Sequence, residues 1–193
     1  MNLILSSCDF HNPNSARVIY DHLPKPLSDC KVLYFPNEKA TPEKITSGKY
    51  ESRVASFGFR KENIYVANYF HPESFFHVNV DVIYISGGNT FGTIKLIRES
   101  GLDQVIIDLV HNGVTYIGGS AGAHIATANL SHVAKYDQNT FGLTDFSGLG
   151  LYKGILICHY SESRKDDLYH LLSSSIYDVQ ALSDQDSIVI RED

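Results

Sequence analysis

The chain has 193 residues, a length that fits one domain and is sufficient to bury a full hydrophobic core. Hydrophobic residues make up 43% and charged residues 20%, as in ordinary soluble globular proteins, and no repeat or low-complexity segment interrupts the sequence. The formal net charge is −6 and no basic cluster occurs, so a nucleic-acid partner is not expected.

The N-terminal residues and the cysteines bear on the cellular compartment. The first apolar run is short and no basic residue precedes it, so we predict neither a signal peptide nor a membrane span. The chain has three cysteines, an odd number, and they show no C-x-x-C spacing: Cys8, Cys30 and Cys158. A reduced, cytoplasmic protein is the simplest interpretation.

The first half of the chain alternates between apolar runs and helix-start signals. A helix is predicted from Ser15 to His22 with Asn14 or Ser15 as its N-cap, and another begins after Thr41, which precedes Pro42 and an acidic residue. Further helices are predicted after the glycine pair at 87–88 and from Asp103 to His111. The apolar runs predict buried strands, at residues 2–6, 31–35, 63–68 and 80–86.

The second half continues this alternation. The run at 114–117 predicts a strand that leads into a glycine-rich turn, and 155–158 predicts another buried strand. Residues 131–135 are expected to be extended, and a helix is predicted over 164–172. The runs at 179–182 and 187–190 indicate a closing hairpin around residues 184–186. Strands that alternate with helices predict one α/β domain over 1–193, with a mostly parallel sheet and helices on both faces.

The turn after the strand at 114–117 reads Gly-Gly-Ser-Ala-Gly, a G-x-S-x-G pattern centred on Ser120. In this pattern a serine at a sharp strand-to-helix turn projects its oxygen from the carboxyl edge of a sheet, and small neighbours avoid steric conflict. The N–H groups that follow lie at a helix N-terminus, where they can stabilise an oxyanion. Ser120 is therefore a candidate nucleophile, although a plain tight turn has the same composition.

A nucleophilic serine needs a base and an orienting acid. His159 directly follows the strand predicted at 155–158, which places it at the same sheet edge as Ser120 if that strand is central. Asp137 is the candidate acid, and Asp145 in the same loop is its rival. His124, one helical turn after Ser120, is a competing base, but a contact with solvent or substrate is the preferred interpretation.

The second glycine turn, Gly87-Gly88-Asn89-Thr90, offers further backbone donors. The N–H of Gly88 is expected to join that of Ala121 in an oxyanion hole, whereas the simpler alternative is a helix start capped by Asn89 or Thr90. The turn lacks the spacing of a phosphate-binding loop. No metal site is expected, because the histidines at 71 and 77 have no further ligands at suitable spacing.

Taken together, the GGNTF turn, the GGSAGA elbow and a strand that ends in CHY resemble the peptidase E family of serine peptidases, which includes aspartyl dipeptidases and cyanophycinases. The resemblance extends over nearly the whole chain and implies a three-layer α/β/α sandwich of the class I glutamine amidotransferase type. It also implies a small peptide as substrate and no cofactor. The residues that match family roles are Ser120 (nucleophile), His159 (base), Asp137 (third member), Gly88 and Ala121 (oxyanion hole), and Asn89 in the family turn.

Two positions depart from the family pattern. Where dipeptidase members carry a GETR-type segment after the catalytic histidine, this chain reads SESRKDDLYH, so Arg164 or Lys165 would have to bind an acidic substrate. His124 stands where members have asparagine or an apolar residue. Asn89, Thr90, His124 and Arg164 are the candidate substrate-binding residues.

The sequence thus predicts a monomeric or homodimeric serine peptidase that hydrolyses small peptides, with dipeptides bearing an acidic N-terminal residue as one substrate class. An α/β-hydrolase-like esterase and a non-catalytic binding protein on the same fold are the alternatives. The esterase lacks support from an HGGG-type loop, and the chain is short for that fold.

Overall fold

A computed structural model describes residues 1–192 and contains an open six-stranded sheet accompanied by helices. The strand bounds are β1 (Asn2–Ser6), β2 (Val32–Phe35), β3 (Ile64–Val66), β4 (Val82–Ile85), β5 (Thr115–Gly119), β6 (Ile155–Ile157), β7 (Val179–Ala181) and β8 (Ser187–Arg191). The order of strands in the sheet is β3-β2-β4-β5-β1-β8, and every neighbouring pair is parallel except β1 and β8. The predicted mostly parallel α/β fold is therefore confirmed.

The interior strands read as continuous apolar runs because both of their faces are covered. Every residue of β2, β4 and β5 is buried. This is the pattern of a parallel sheet between helical layers, in contrast to the in–out alternation of a sheet with one wet face. The carboxyl ends of β1, β4 and β5 meet at one edge of the sheet, where ligands bind in folds of this kind.

The helices begin where caps and prolines favour them. Thr41 accepts a hydrogen bond from the Lys44 N–H at 3.3 Å, as its predicted role as an N-cap requires. The first helix starts earlier than predicted, because Asn12 is its cap and Pro13 its first residue. The helices are α1 (Pro13–His22), α2 (Pro42–Thr46), α3 (Lys49–Ala55), α4 (Thr90–Glu99), α5 (Leu102–His111), α6 (Ala121–Ile125) and α7 (Lys165–Ser174).

Three predictions for the C-terminal part are wrong. Residues Ser131–Lys135 form a 3₁₀ helix rather than an extended segment. The strand β6 is not central in the main sheet but pairs in parallel with β7 in a separate two-stranded sheet. Consequently β7 and β8 do not form a hairpin, since β8 pairs antiparallel with β1 at the edge of the main sheet. Apolar alternation identifies a strand but does not specify its partner.

No helix within residues 1–192 combines the length and the apolar character that crossing a bilayer requires.

Candidate active site

Ser120 occupies a strained turn between β5 and α6. Its backbone angles are φ 49° and ψ −107°, outside the regions that non-glycine residues favour. Its N–H donates to the Ser6 carbonyl at 2.8 Å, and its carbonyl accepts from the His124 N–H at 3.0 Å. A side chain on Gly122 would collide with the backbone oxygen of Ile85. The small residues of the elbow therefore allow β5 and α6 to pack directly against β4.

The predicted contact between Ser120 and His159 is present. The Oγ atom of Ser120 lies 2.8 Å from Nε2 of His159, within hydrogen-bonding distance. Although β6 belongs to the smaller sheet, its carboxyl end delivers His159 to the same edge as the elbow. The expected location is therefore correct, and the expected route to it, a central strand, is not.

Ser7 holds the backbone of His159 in place. His159 has a positive φ of 55°, and its N–H donates to Oγ of Ser7 at 3.0 Å. The Ser7 hydroxyl in turn donates to the Leu182 carbonyl at 2.8 Å. Ser7 is fully buried and directly follows β1, so it ties the ends of β1, β6 and β7 together. This role was not anticipated, because a lone serine after a strand carries no specific sequence signal.

Asp184 is the carboxylate that binds His159. Its Oδ1 atom lies 2.6 Å from Nδ1 of His159. Because a carboxylate accepts, Nδ1 carries the proton, and Nε2 is then free to accept from the Ser120 hydroxyl. The hydrogen bond from His159 holds the pKa of Asp184 below its usual value, so the carboxylate is ionised at neutral pH. Ser120, His159 and Asp184 thus form a continuous hydrogen-bonded chain.

Asp137 does not occupy this position, which corrects the sequence-based assignment. Its carboxylate accepts a hydrogen bond from the Thr90 N–H at 2.8 Å and so stabilises the first turn of α4. The rival Asp145 accepts from the Ser147 N–H at 2.9 Å and forms an ion pair with Arg98 at 3.5 Å. Both acids lie in the loop after α6, and both are committed to partners other than His159.

His124 is buried and does not face a substrate, contrary to expectation. It is 5% exposed, and its Nε2 atom accepts from the Cys158 N–H at 3.4 Å. Burial and the neighbouring His132 lower its pKa to about 3, so the imidazole is neutral. The packing of β6 against α6 covers the His124 side chain. Because His124 is buried and its Nε2 atom faces the Cys158 N–H, it does not serve as the competing base for Ser120.

The other candidate substrate-binding residues have structural partners. The side chain of Asn89 caps α4 through the Gly92 N–H at 2.9 Å and also donates to the Gln138 carbonyl at 3.0 Å, which is the simpler of its two predicted roles. Thr90 is fully buried. Arg164 donates to the Cys158 carbonyl and stacks on the Tyr136 ring at 4.1 Å. The N–H of Thr90 donates to Asp137, whereas its hydroxyl is buried and has no hydrogen-bond partner within residues 1–192.

Two backbone N–H groups in the turns next to Ser120 lack a hydrogen-bond acceptor in the described part of the chain. Those of Gly88 and Ala121 have no protein acceptor within residues 1–192. The Gly87-Gly88 turn lies against the elbow, since a side chain on Gly87 would stand 3.9 Å from the Ser120 Oγ. Gly88 has a φ of 155°, and a side chain there would meet Asn37 and Glu38 at 2.6 Å. Only glycine fits this position without displacing Asn37 and Glu38.

A cavity of about 340 Å³ opens onto Ser120 and His159. The cavity is also lined by Arg53 on α3, whose Nη2 atom lies 3.5 Å from Nε2 of His11. His11 is itself bonded to the buried Asp9 through Nδ1 at 2.6 Å. Arg53 has no carboxylate partner within residues 1–192. Sequence alone gives no signal for this cation, because a lone arginine on a short helix is usually a solvated surface residue.

Comparison with known proteins places the chain in a family. The profile of Peptidase family S51 matches residues 3–193. The chain belongs to peptidase family S51. The resemblance to peptidase E is thereby confirmed, and the α/β-hydrolase alternative is set aside. Among curated S51-like relatives, the uncharacterized peptidase Lmo0363 of Listeria monocytogenes is 33% identical over 85 residues, which is 43% of this chain and 42% of that protein.

Peptidase E of Escherichia coli is 48% identical over 52 residues, or 27% of this chain and 23% of that protein. The aligned segments therefore span less than half the length of these relatives. A solved structure of a peptidase E candidate from Listeria monocytogenes EGD-e has a TM-score of 0.75 at 24% identity and covers 98% of this chain and 94% of that one. The solved structure of a peptidase from an acI-B1 actinobacterium has a TM-score of 0.58 at 16% identity and covers 98% of this chain and 83% of that one. These two structures share the fold.

Proposed function

We propose that this S51 family member is a serine peptidase that hydrolyses small peptides through Ser120, His159 and Asp184. The observation that supports the proposal is the chain of two hydrogen bonds, 2.8 Å from Ser120 to His159 and 2.6 Å from His159 to Asp184. Nucleophile, base and orienting acid stand in the order that acyl transfer requires. The strained backbone of Ser120 presents the hydroxyl to the cavity rather than to the protein interior.

The first half of the reaction forms an acyl-enzyme. Ser120 Oγ attacks the scissile carbonyl while Nε2 of His159 takes the hydroxyl proton, and the carbonyl π electrons move to oxygen. The N–H groups of Gly88 and Ala121 stabilise this oxyanion. Asp184 stabilises the imidazolium. His159 then returns the proton to the leaving amine, and the C–N bond breaks. Water repeats these steps to release the acid and restore Ser120.

The substrate class is proposed from the charge of the cavity. The protein has a net charge of −6, yet the cavity that contains Ser120 is also lined by the cation Arg53, whose guanidinium contacts His11 rather than a carboxylate. A carboxylate on a bound peptide would give Arg53 the charged partner that it lacks within residues 1–192. We therefore favour short acidic peptides, including dipeptides with an acidic N-terminal residue, and we assign the anchoring role to Arg53 in place of Arg164.

The test replaces the nucleophile and measures turnover on a dipeptide library. Ser120→Ala is expected to abolish hydrolysis above background, because no other hydroxyl contacts His159 Nε2 within residues 1–192. The matched control is Ser173→Ala, which removes an exposed hydroxyl of α7 and is expected to leave turnover intact. Circular dichroism of both variants checks the fold. Undiminished hydrolysis by folded Ser120→Ala would refute the mechanism.

A further inference from the structure

Cys8 lies beside the hydrogen-bonded pair of His159 and Asp184. One ligand atom from each of these three residues lies within 4.8 Å of the other two. They come from three separate segments: the loop after β1, the end of β6 and the connection between β7 and β8. The catalytic scheme uses His159 and Asp184 but gives the thiol of Cys8 no part.

The three side chains offer the donor atoms that Zn²⁺ prefers in proteins. Zn²⁺ binds thiolate sulfur, imidazole nitrogen and carboxylate oxygen, at about 2.3, 2.0 and 2.0–2.2 Å respectively. Donors on a tetrahedral ion at those distances stand roughly 3.5 Å apart, so separations up to 4.8 Å need only a small side-chain adjustment. Three protein donors also leave a fourth position for water.

The cluster is open to solvent. The side chains of His159 and Asp184 are 40% and 59% exposed, and Cys8 is half-buried. Cys8 and His159 both line the cavity that contains Ser120. An ion can therefore reach the three ligands without any rearrangement of the fold. Cys30 and Cys158, by contrast, are fully buried.

From this geometry we propose that Cys8, His159 and Asp184 bind a thiophilic divalent cation such as Zn²⁺, and that the bound ion blocks catalysis. Binding releases the Cys8 thiol proton to solvent. The Nδ1 atom of His159 gives its lone pair to the metal, so the neutral ring carries its proton on Nε2. Nε2 then donates to Ser120 Oγ instead of accepting from it, and the base is lost. Asp184 leaves its hydrogen bond with His159 to become a ligand.

The inhibition rests on the proposed function, whereas the metal binding does not. Binding is measured by titrating the full chain with Co²⁺, which gives a charge-transfer band in the near ultraviolet only when a thiolate is a ligand. We expect one ion per chain. Ser120→Ala should retain the band, because Ser120 supplies no ligand, so binding remains measurable even in an inactive protein.

Cys8→Ser tests the site directly, with Cys30→Ser as the matched control at a distant buried cysteine. Cys8→Ser should lose the Co²⁺ band, and Cys30→Ser should keep it. For Zn²⁺ inhibition, measured against each variant's own uninhibited rate, Cys8→Ser should weaken the inhibition constant by at least roughly 10–100-fold. A chelator should restore the activity of the wild type.

Three results would overturn the proposal. The first is the absence of a thiolate band in the wild-type protein at saturating Co²⁺, and the second is an equal band in Cys8→Ser. Zn²⁺ inhibition of equal strength in both proteins would place the ion elsewhere and would also refute the site. If Ser120→Ala retained full hydrolysis while the band followed Cys8, the proposed function would fail and the metal site would stand.

Discussion

Nδ1 of His159 lies 2.6 Å from Oδ1 of Asp184, although 25 positions separate the two residues in the chain. Asp184→Asn should therefore reduce kcat on the order of 10³–10⁴-fold, because an amide cannot hold the imidazole in the tautomer that accepts from Ser120. The measurement is kcat on the best dipeptide found in the library.

Asp137→Asn and Asp145→Asn are the matched controls, since each makes the same change in an acid that does not contact His159. Both variants should keep most of their activity, and an asparagine at 137 can still accept from the Thr90 N–H. A loss in Asp137→Asn that equals the loss in Asp184→Asn would contradict the assignment.

The elbow should not tolerate a methyl group at Gly122. The Cβ atom of alanine would overlap the Ile85 carbonyl of β4, and neither backbone can yield without disturbing the sheet. Overpacking of this kind costs about 1–3 kcal/mol or more. Urea unfolding of Gly122→Ala measures the loss in the free energy of unfolding.

Gly101 provides the comparison for Gly122. It has a φ of 73° before α5, and a side chain there would meet no atom within 4 Å. Gly101→Ala should cost only about 1 kcal/mol, from the left-handed backbone alone. If the two variants were equally stable, the close contact of α6 with β4 would not be a real constraint.

The neutral, buried His124 makes stability depend on pH. Its pKa is about 3 in the folded protein against 6.5 in the unfolded chain, because burial penalises the imidazolium. Between these values the unfolded state binds a proton that the folded state does not, so stability falls as pH drops below about 6.5. One proton corresponds to about 1.4 kcal/mol per pH unit. The burial of His132 acts in the same direction.

His124→Gln removes this titration and keeps an acceptor for the Cys158 N–H. The free energy of unfolding from urea titrations at pH 5 to 7 should therefore depend less on pH in this variant. Parallel curves for the wild type and His124→Gln would show that His124 does not carry the effect.

Arg53→Met should reduce kcat/KM for acidic dipeptides by roughly 10–100-fold, because a charge-assisted hydrogen bond contributes a binding free energy of that size. Neutral dipeptides should be affected far less, because the lost partner is a cation. Arg60→Met, which removes an exposed arginine paired with Asp29, serves as the control. Equal effects on acidic and neutral substrates would argue against a carboxylate anchor.

The sequence was informative wherever a feature is local. The strands at 32–35 and 82–85 are continuous apolar runs, and the serine turn and the strand-end histidine follow from short patterns. Asp184 was missed because its segment consists of two apolar runs separated by turn residues, which is also how a hairpin appears. The strands that pair with β7 and β8 are far away in the sequence. The periodicity of apolar residues contains no information about such long-range partners.

The prediction that His124 contacts solvent or substrate was wrong for a related reason. On a short helix of small residues a histidine suggests exposure, but its burial depends on β6, which comes more than thirty residues later. Residues whose environment is supplied by distant segments are therefore the ones that sequence patterns misplace. This applies equally to Asp137, whose partner Thr90 precedes it by 47 positions.

Because Asp184 lies just before β8, the proposed catalysis depends on the pairing of β8 with β1. The connection that carries it leaves β7 in the small sheet and enters β8, which is paired only on one side within residues 1–192. Strands at a sheet margin detach at lower free energy than interior ones. Under the proposed mechanism, gentle warming should therefore abolish hydrolysis by moving the Asp184 carboxylate away from His159, at a temperature where the helices and the inner strands are still intact.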